Sequence, residues 1–261
     1  MSYSTLILEK GSGLATITLN RPERLNAICP ELITDLLNVI EEIGKDNEIR
    51  AIMLTGAGRA FCAGGDVKDL LSQTENPVEL MANSLEGARI ISGMRNMPKP
   101  WVAAVNGPAI GAGCNLALGC DIIIAAQNAM FSMAFMNLGL HPDTGGVYLL
   151  SRLVGTARAC EMIFTGKMID AIEAERIGLI NQVVPPEDLE DTARKMALRL
   201  AHGPSKAIGM AKASIYQAVT MDMAPILETE ARATSLCIST EDAKEGIKAL
   251  LEKRKPEFKG R

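Results

Sequence analysis

A chain of 261 residues, 48% apolar but only 3% aromatic, can bury one large aliphatic core, alone or with a small extension. Its net charge of −4 supplies no global field for nucleic acid, so an anionic ligand would need a local cluster of Lys and Arg. The six cysteines (Cys29, Cys62, Cys114, Cys120, Cys160, Cys237) form no CxxC pair and no ligand spacing with either histidine, so neither a metal nor a disulfide is expected.

The start, MSYSTLILEK, lacks a charged segment followed by a long apolar one, so no signal peptide is expected and reduced thiols in the cytoplasm are the default. STLILE and LATITL predict a hairpin turning at Lys10–Gly13. Pro30 opens a helical pattern, ELITDLLNVIEEIGK, and AIMLTG (51–56) reads as a buried strand. In the glycine-rich loop GAGRAFCAGGD that follows, Asp66 is placed to cap the helix VKDLLSQ. A longer helix over roughly 77–97 stops before Pro98. WVAAVNG then predicts a strand, GAGCNLALG a helix entered through glycines, and DIIIAA another strand. The uncharged run from Pro100 to Cys120 is long enough for a membrane span, but its four glycines, two prolines and two asparagines argue for strand, turn and helix instead. This rhythm predicts an α/β fold with parallel strands over residues 1–200. Helices dominate beyond about 145, with a short strand at NQVV (181–184) and a helix begun by PPEDLEDTARKMALRLA. Residues 201–261 read as a helical C-terminal region that ends in the basic tail KRKPEFKGR.

Two loops share one form, an apolar strand, a turn of small residues and a helix: AIMLTGAGRAFCAGGDV and WVAAVNGPAIGAGCNLAL. Such turns leave N–H groups unpaired at a helix start, where they can hold an anion or a developing oxyanion. Neither fits a dinucleotide fingerprint, since Leu116 and Phe61 occupy the third glycine positions, and neither has a Gly-Lys-Ser/Thr ending. A third stretch, HPDTGG (141–146), places the lone acid Asp143 before two glycines. From composition alone, Asp143 or Thr144 reads equally as the cap of the helix GGVYLLSRL or as a functional carboxylate.

GRAFCAGGDV, followed about forty residues later by AVNGPAIGAGCNLALGCDIIIAA, resembles the crotonase, or enoyl-CoA hydratase/isomerase, superfamily. The resemblance continues through FSMAFMNLGLHPDTGGVYLLSRLVG and FTGKMIDAIEAERIGLINQVV and covers nearly the whole chain. It implies a spiral of strand–strand–helix turns with a helical C-terminal region that assembles trimers or dimers of trimers. It also implies an acyl-CoA thioester as substrate, with no metal or redox cofactor and no nucleic-acid or membrane partner. Matched residue by residue, the backbone N–H groups of Ala63 and Ala112 would hold the thioester oxygen. The segment Arg24–Ala27 and the turn Ala63, Gly65, Asp66, Val67 would line the CoA site, and Arg21, Arg24 or the basic tail would meet phosphates. The tail's charge run reads as readily as a solvated end.

The two glutamates with which hydratases of the family handle water are replaced by Asn115 and Phe135. Some isomerases of the family carry an aspartate at the position of Asp143. One base above an enolate can take a proton from C2 and return it to C4, whereas adding water is easier with two groups. The resemblance therefore implies isomerisation of an enoyl-CoA with Asp143 as the base. Phe135, Met136 and Leu140 would be its apolar surroundings, and Asn115 and His141 accessory groups. Met133 reads as pocket lining or core, and Cys62 and Cys114 as small apolar filling. Two enzyme alternatives stand beside it: hydration of a 2-enoyl-CoA by water on Asn115 and Asp143, and thioester hydrolysis. A non-catalytic acyl-CoA-binding protein is the competing class.

Overall fold

The hairpin forms from β1 (Leu6–Gly11) and β2 (Leu14–Leu19), antiparallel with Leu6 opposite Leu19 and Gly11 opposite Leu14. Ser12 and Gly13 turn the chain with φ of 53° and 77°, the left-handed pair that matches the twist of a two-residue hairpin. α1 (Pro30–Lys45) returns the chain to β3 (Ala51–Gly56), which lies parallel to β2. Its Leu32, Leu36, Val39 and Ile43 recur at helical spacing and are buried. α2 (Val67–Gln73) and α3 (Pro77–Asn96) lead to β4 (Trp101–Val105), then β5 (Ala109–Ile110) and α4 (Ala112–Gly119). The computed structural model describes residues 3–73 and 76–261; Met1 and Ser2, which the signal-peptide reading includes, lie outside them.

β6 (Ile122–Ala126), β7 (Met130–Ser132), α5 (Gly146–Val154), α6 (Thr156–Thr165), β8 (Met168–Asp170), α7 (Ala171–Arg176), β9 (Gln182–Val184) and α8 (Leu189–Ala201) follow. Six strands make one sheet in the order β1-β2-β3-β4-β6-β9, parallel from β2 onward. The other three make a small sheet, β5-β7-β8. The strands of this second sheet, two or three residues long, are too short to show a period in sequence. The uncharged stretch 100–120 resolves into β4, β5 and α4, and among the described residues no helix is long and apolar enough to cross a membrane.

Both faces of the large sheet are covered, which is why its strands read as unbroken apolar runs. Trp101, Leu54, Ile52 and Ala103 belong to the larger core with α1, α3 and α4. On the opposite face α8 lays Leu189, Ala193, Ala197 and Ala201 on Met53, Val102 and Ala104. Alanines at every fourth position let the helix approach closely.

α9 (Ser205–Ala218), α10 (Met223–Ile238) and α11 (Glu241–Leu251) complete the chain. α9 is anchored through a buried ion pair, Lys212 Nζ to Asp121 at 2.8 Å. The ammonium also donates to the carbonyls of Met94 (2.8 Å) and Lys99 (3.1 Å), and Tyr216 donates to the other oxygen of Asp121. Desolvation holds Lys212 below the usual lysine range despite the attraction of Asp121. The basic tail is exposed, but part of it is tied to α11. Asp242 accepts the backbone N–H groups of Lys259 (2.6 Å) and Gly260 (2.8 Å), while Arg254 pairs with Glu245 and Glu252 and Arg261 with Glu241.

Two consequences are measurable. Lys212→Met leaves the partly buried Asp121 carboxylate without its cation, so urea unfolding should show a loss of about 3–5 kcal/mol; a loss below about 1 kcal/mol would mean that the pair does not anchor α9. Burial pushes the Cys62 and Cys114 thiols up to about 12, and Cys29 and Cys120 upward as well. At pH 8 these thiols are protonated and shielded. A chromogenic disulfide reagent should titrate Cys160 and Cys237 at most in the native protein, and all six after denaturation.

Candidate active site

The two strand–turn–helix loops are bound to each other along their backbones. Cys62 N–H donates to the Pro108 carbonyl (3.1 Å) and Ile110 N–H to the Cys62 carbonyl (3.0 Å). A Cβ at Gly113 would stand 2.2 Å from the Cys62 oxygen, and one at Gly107 would stand 2.3 Å from that of Arg59, so only hydrogen fits at either position. Gly111 caps α4 with φ 55° and ψ −121°, a left-handed conformation that glycine alone adopts cheaply.

This contact decides which N–H groups are free. Ala63 is not one of them: its N–H donates to the Leu25 carbonyl at 3.0 Å, and Ala63 does not border the cavity described below. Leu25 and Asn26 are held in left-handed backbone (φ 53° and 56°). The buried Asn26 side chain ties this bend down by accepting from Arg21 N–H and donating to the Ala57 and Ala60 carbonyls. Two residues on, the chain pairs with Ile28, whose N–H donates to Gly64 and whose carbonyl accepts from Asp66 N–H. Because extended backbone alternates its polar groups, the Gly65 N–H between them points away from Ile28. Among the described residues neither Gly65 N–H nor Ala112 N–H, the first of α4, has an acceptor. Both residues line one cavity, and a Cβ at Gly64 would lie 3.8 Å from the Ala112 nitrogen. Two fixed donors facing one space can hold an oxyanion.

Asp143 lines the same cavity. It does not cap α5: the cap residue is Gly145, and no side chain bonds the helix start. The carboxylate instead accepts from Ser84 Oγ (Oδ2, 3.1 Å) and Thr144 Oγ1 (Oδ1, 3.2 Å). Its backbone is set by Asn115, whose amide nitrogen donates to the Asp143 carbonyl (2.9 Å) and to Thr144 Oγ1 (3.0 Å). Asn115 is fully buried with Oδ1 unpartnered, so it supports the turn and does not reach the cavity as the expected water-holding group. Gly146 makes room for it, since a Cβ there would meet the amide at 2.7 Å.

The apolar wall is not the expected one. Phe135 packs against Gly111, Met136 is exposed, Leu140 is half-buried, and none of the three borders the cavity. Met133 is core, and His141 is exposed and away from the cavity. The wall comes from Ile28 and from α1, α3 and α4, through Ile33, Leu36, Leu80, Ile90, Ile91 and Leu116. Asp69, in the first turn of α2, also lines the cavity. Sequence reasoning missed Ser84 and the rest of the α3 stripe (Leu80, Asn83, Gly87, Ile91). Their helical spacing was visible, but the 59-residue separation of Ser84 from Asp143 was not.

Of the expected CoA contacts, Gly65 and Asp66 border the cavity. Asp66 accepts from Lys68 N–H (3.2 Å), which caps α2, and pairs with Arg21 at 3.5 Å. Arg21 also donates to the Ala27 carbonyl, so both its guanidinium and that carbonyl are engaged inside the protein. Arg24, Val67 and Lys68 are exposed, with no side-chain hydrogen bond from Arg24 or Lys68 among the described residues.

Comparison with known proteins identifies the family. Residues 9–261 match the family model described as enoyl-CoA hydratase/isomerase. The chain is 42% identical to a 1,2-epoxyphenylacetyl-CoA isomerase of Escherichia coli, over 95% of this chain and 96% of the relative. It is 40% identical to a short-chain-enoyl-CoA hydratase of Clostridium acetobutylicum over the full length of both. Among solved structures, an enoyl-CoA hydratase/isomerase from Cupriavidus metallidurans superposes with a TM-score of 0.93 at 37% identity, over 100% of this chain and 98% of that one. An enoyl-CoA hydratase from Bacillus anthracis gives 0.94 at 34%, over 99% and 100%. With its fold and nearly its whole length matched, the chain belongs to the enoyl-CoA hydratase/isomerase family.

Proposed function

We propose that the protein isomerises an enoyl-CoA, moving the double bond from C3 to C2, with Asp143 as the only proton carrier. The observation that carries this reading is the placement of the Asp143 carboxylate: free of any capping duty, held by two hydroxyls, and sharing a mostly apolar cavity with two unpaired N–H groups. The thioester oxygen takes the N–H groups of Gly65 and Ala112. Asp143 removes a proton from C2, and the electron pair is delocalised over C2–C4 and onto the thioester oxygen as a dienolate. The protonated Asp143 then delivers that proton to C4, which leaves a C2=C3 double bond and restores the carboxylate. Fixed donors stabilise the charge without reorganising, and each is worth roughly 3–4 kcal/mol in the transition state. The two hydroxyls keep the carboxylate over the C2–C4 edge. No metal or redox group enters these steps.

The CoA moiety would leave the cavity past the exposed start of α2, where Arg24 and Lys68 are available to its phosphates. Exposed apolar side chains on α9–α11, among them Ile215, Leu227, Leu236, Ile247, Leu250 and Leu251, support a homo-oligomer, read as a trimer or a dimer of trimers. The cytoplasm is the proposed setting of such a CoA-dependent enzyme.

One observation favours a second reading. Asp69 lines the cavity as well as Asp143, and two carboxylates could share the work of adding water to a 2-enoyl-CoA. Absorbance separates the two, because a conjugated 2-enoyl thioester absorbs in the ultraviolet and its hydrate does not. The isomerase reading expects absorbance to grow from a 3-enoyl-CoA and to persist with a 2-enoyl-CoA. Asp143→Asn should lower kcat about 10²–10⁴-fold while acyl-CoA binding changes little. Loss of the 2-enoyl signal to a 3-hydroxyacyl product would make the protein a hydratase, and binding without any turnover would make it an acyl-CoA-binding protein.

A further inference from the structure

The cavity offers about 100 Å³; it is open at the reacting end and shut at its inner end. Leu36 on α1, Ile90 on α3 and Leu116 on α4 close it; they are 1%, 4% and 3% exposed and belong to the continuous core. Asp143, Gly65 and Ala112 stand at the reacting end, where the residues are only half-buried. The wall between them is fixed as well. A Cβ at Gly87 would meet Thr144 Cγ2 at 2.8 Å, so α3 already sits as near the Asp143 turn as its glycine allows.

From these dimensions we infer that the pocket selects a short, unbranched acyl group, with Leu36, Ile90 and Leu116 as the residues that set the limit. The inference rests on the acyl-CoA reading of the same cavity. At about 100 Å³ the cavity has room for the thioester carbonyl and a few carbons. A six-membered ring needs more, given that an apolar cavity of roughly 150 Å³ is what accommodates one benzene. Longer chains would have to displace Leu36 or Ile90 from the close-packed core, which does not yield by small steps.

Calorimetric titration of the intact protein with butyryl-CoA, octanoyl-CoA, phenylacetyl-CoA and free CoA tests this without requiring turnover, because saturated thioesters cannot isomerise. Butyryl-CoA should bind at least tenfold more tightly than octanoyl- or phenylacetyl-CoA. Leu36→Ala, which opens the inner end, should shift the octanoyl-to-butyryl ratio at least tenfold toward octanoyl. Ile33→Ala, half-buried on the same face of α1, should shift it in the same direction and serves if Leu36→Ala does not fold. Octanoyl- or phenylacetyl-CoA bound by the unaltered protein as tightly as butyryl-CoA would overturn the size limit while leaving the acyl-CoA reading intact. Acyl-CoAs that bind no better than free CoA would overturn both.

Discussion

Everything at the candidate site depends on how closely two backbones approach at Cys62 and Gly113. The hydrogen bonds from Cys62 to Pro108 and from Ile110 to Cys62 zip the first loop onto the second, and Gly113 and Gly107 carry no Cβ to hold them apart. With the loops in that register, the start of α4 lies beside the Gly64–Gly65 peptide, and two N–H groups from distant parts of the chain border one space. Neither loop could do this alone. A helix start offers several unpaired donors, but their directions converge on a reacting atom only when a second backbone fixes the far side.

The opposite wall is built by a similar economy of small residues. Gly87 lets α3 touch the turn at Asp143, Gly146 lets Asn115 reach its carbonyl, and Thr144 accepts a φ of 46° to bring its hydroxyl to the carboxylate. Backbone strain in a non-glycine residue persists only where its surroundings over-determine it. Here Asn115 binds both the turn's carbonyl and its hydroxyl, and Ser84 fixes the free carboxylate oxygen. The position that carries a glutamate in hydratases of the family has thus become internal support for an acid 28 residues further on. That exchange accounts for an asparagine at the site that never meets the cavity.

Much of this was legible in the amino-acid sequence. The hairpin, α1, β3, β4, α4, β6 and α8 follow from runs and periods of apolar residues that each element needs in order to be buried. The two glycine-rich turns and Asp143 were visible as features of composition. The short sheet β5-β7-β8 was not, because two or three residues cannot show a period. Which turn amide is free was not legible either. Ala63 and Gly65 differ in what lies opposite them, and the Leu25 carbonyl that takes the Ala63 N–H arrives only because Leu25 and Asn26 adopt left-handed backbone. The apolar wall was expected from the residues nearest Asp143 in sequence, yet it comes from α1 and α3, which reach the site only in the folded chain.

That a single carboxylate takes the proton from C2 and returns it to C4 is the central claim, and the fate of that proton tests it directly. A 3-enoyl-CoA carrying deuterium at C2 is converted in ordinary water under single-turnover conditions, and the label is located in the product by NMR. Transfer by Asp143 within a mostly apolar cavity predicts that part of the deuterium appears at C4. Transfer of label to C4 that persists undiminished in Asp143→Asn would contradict a single carrier at this residue.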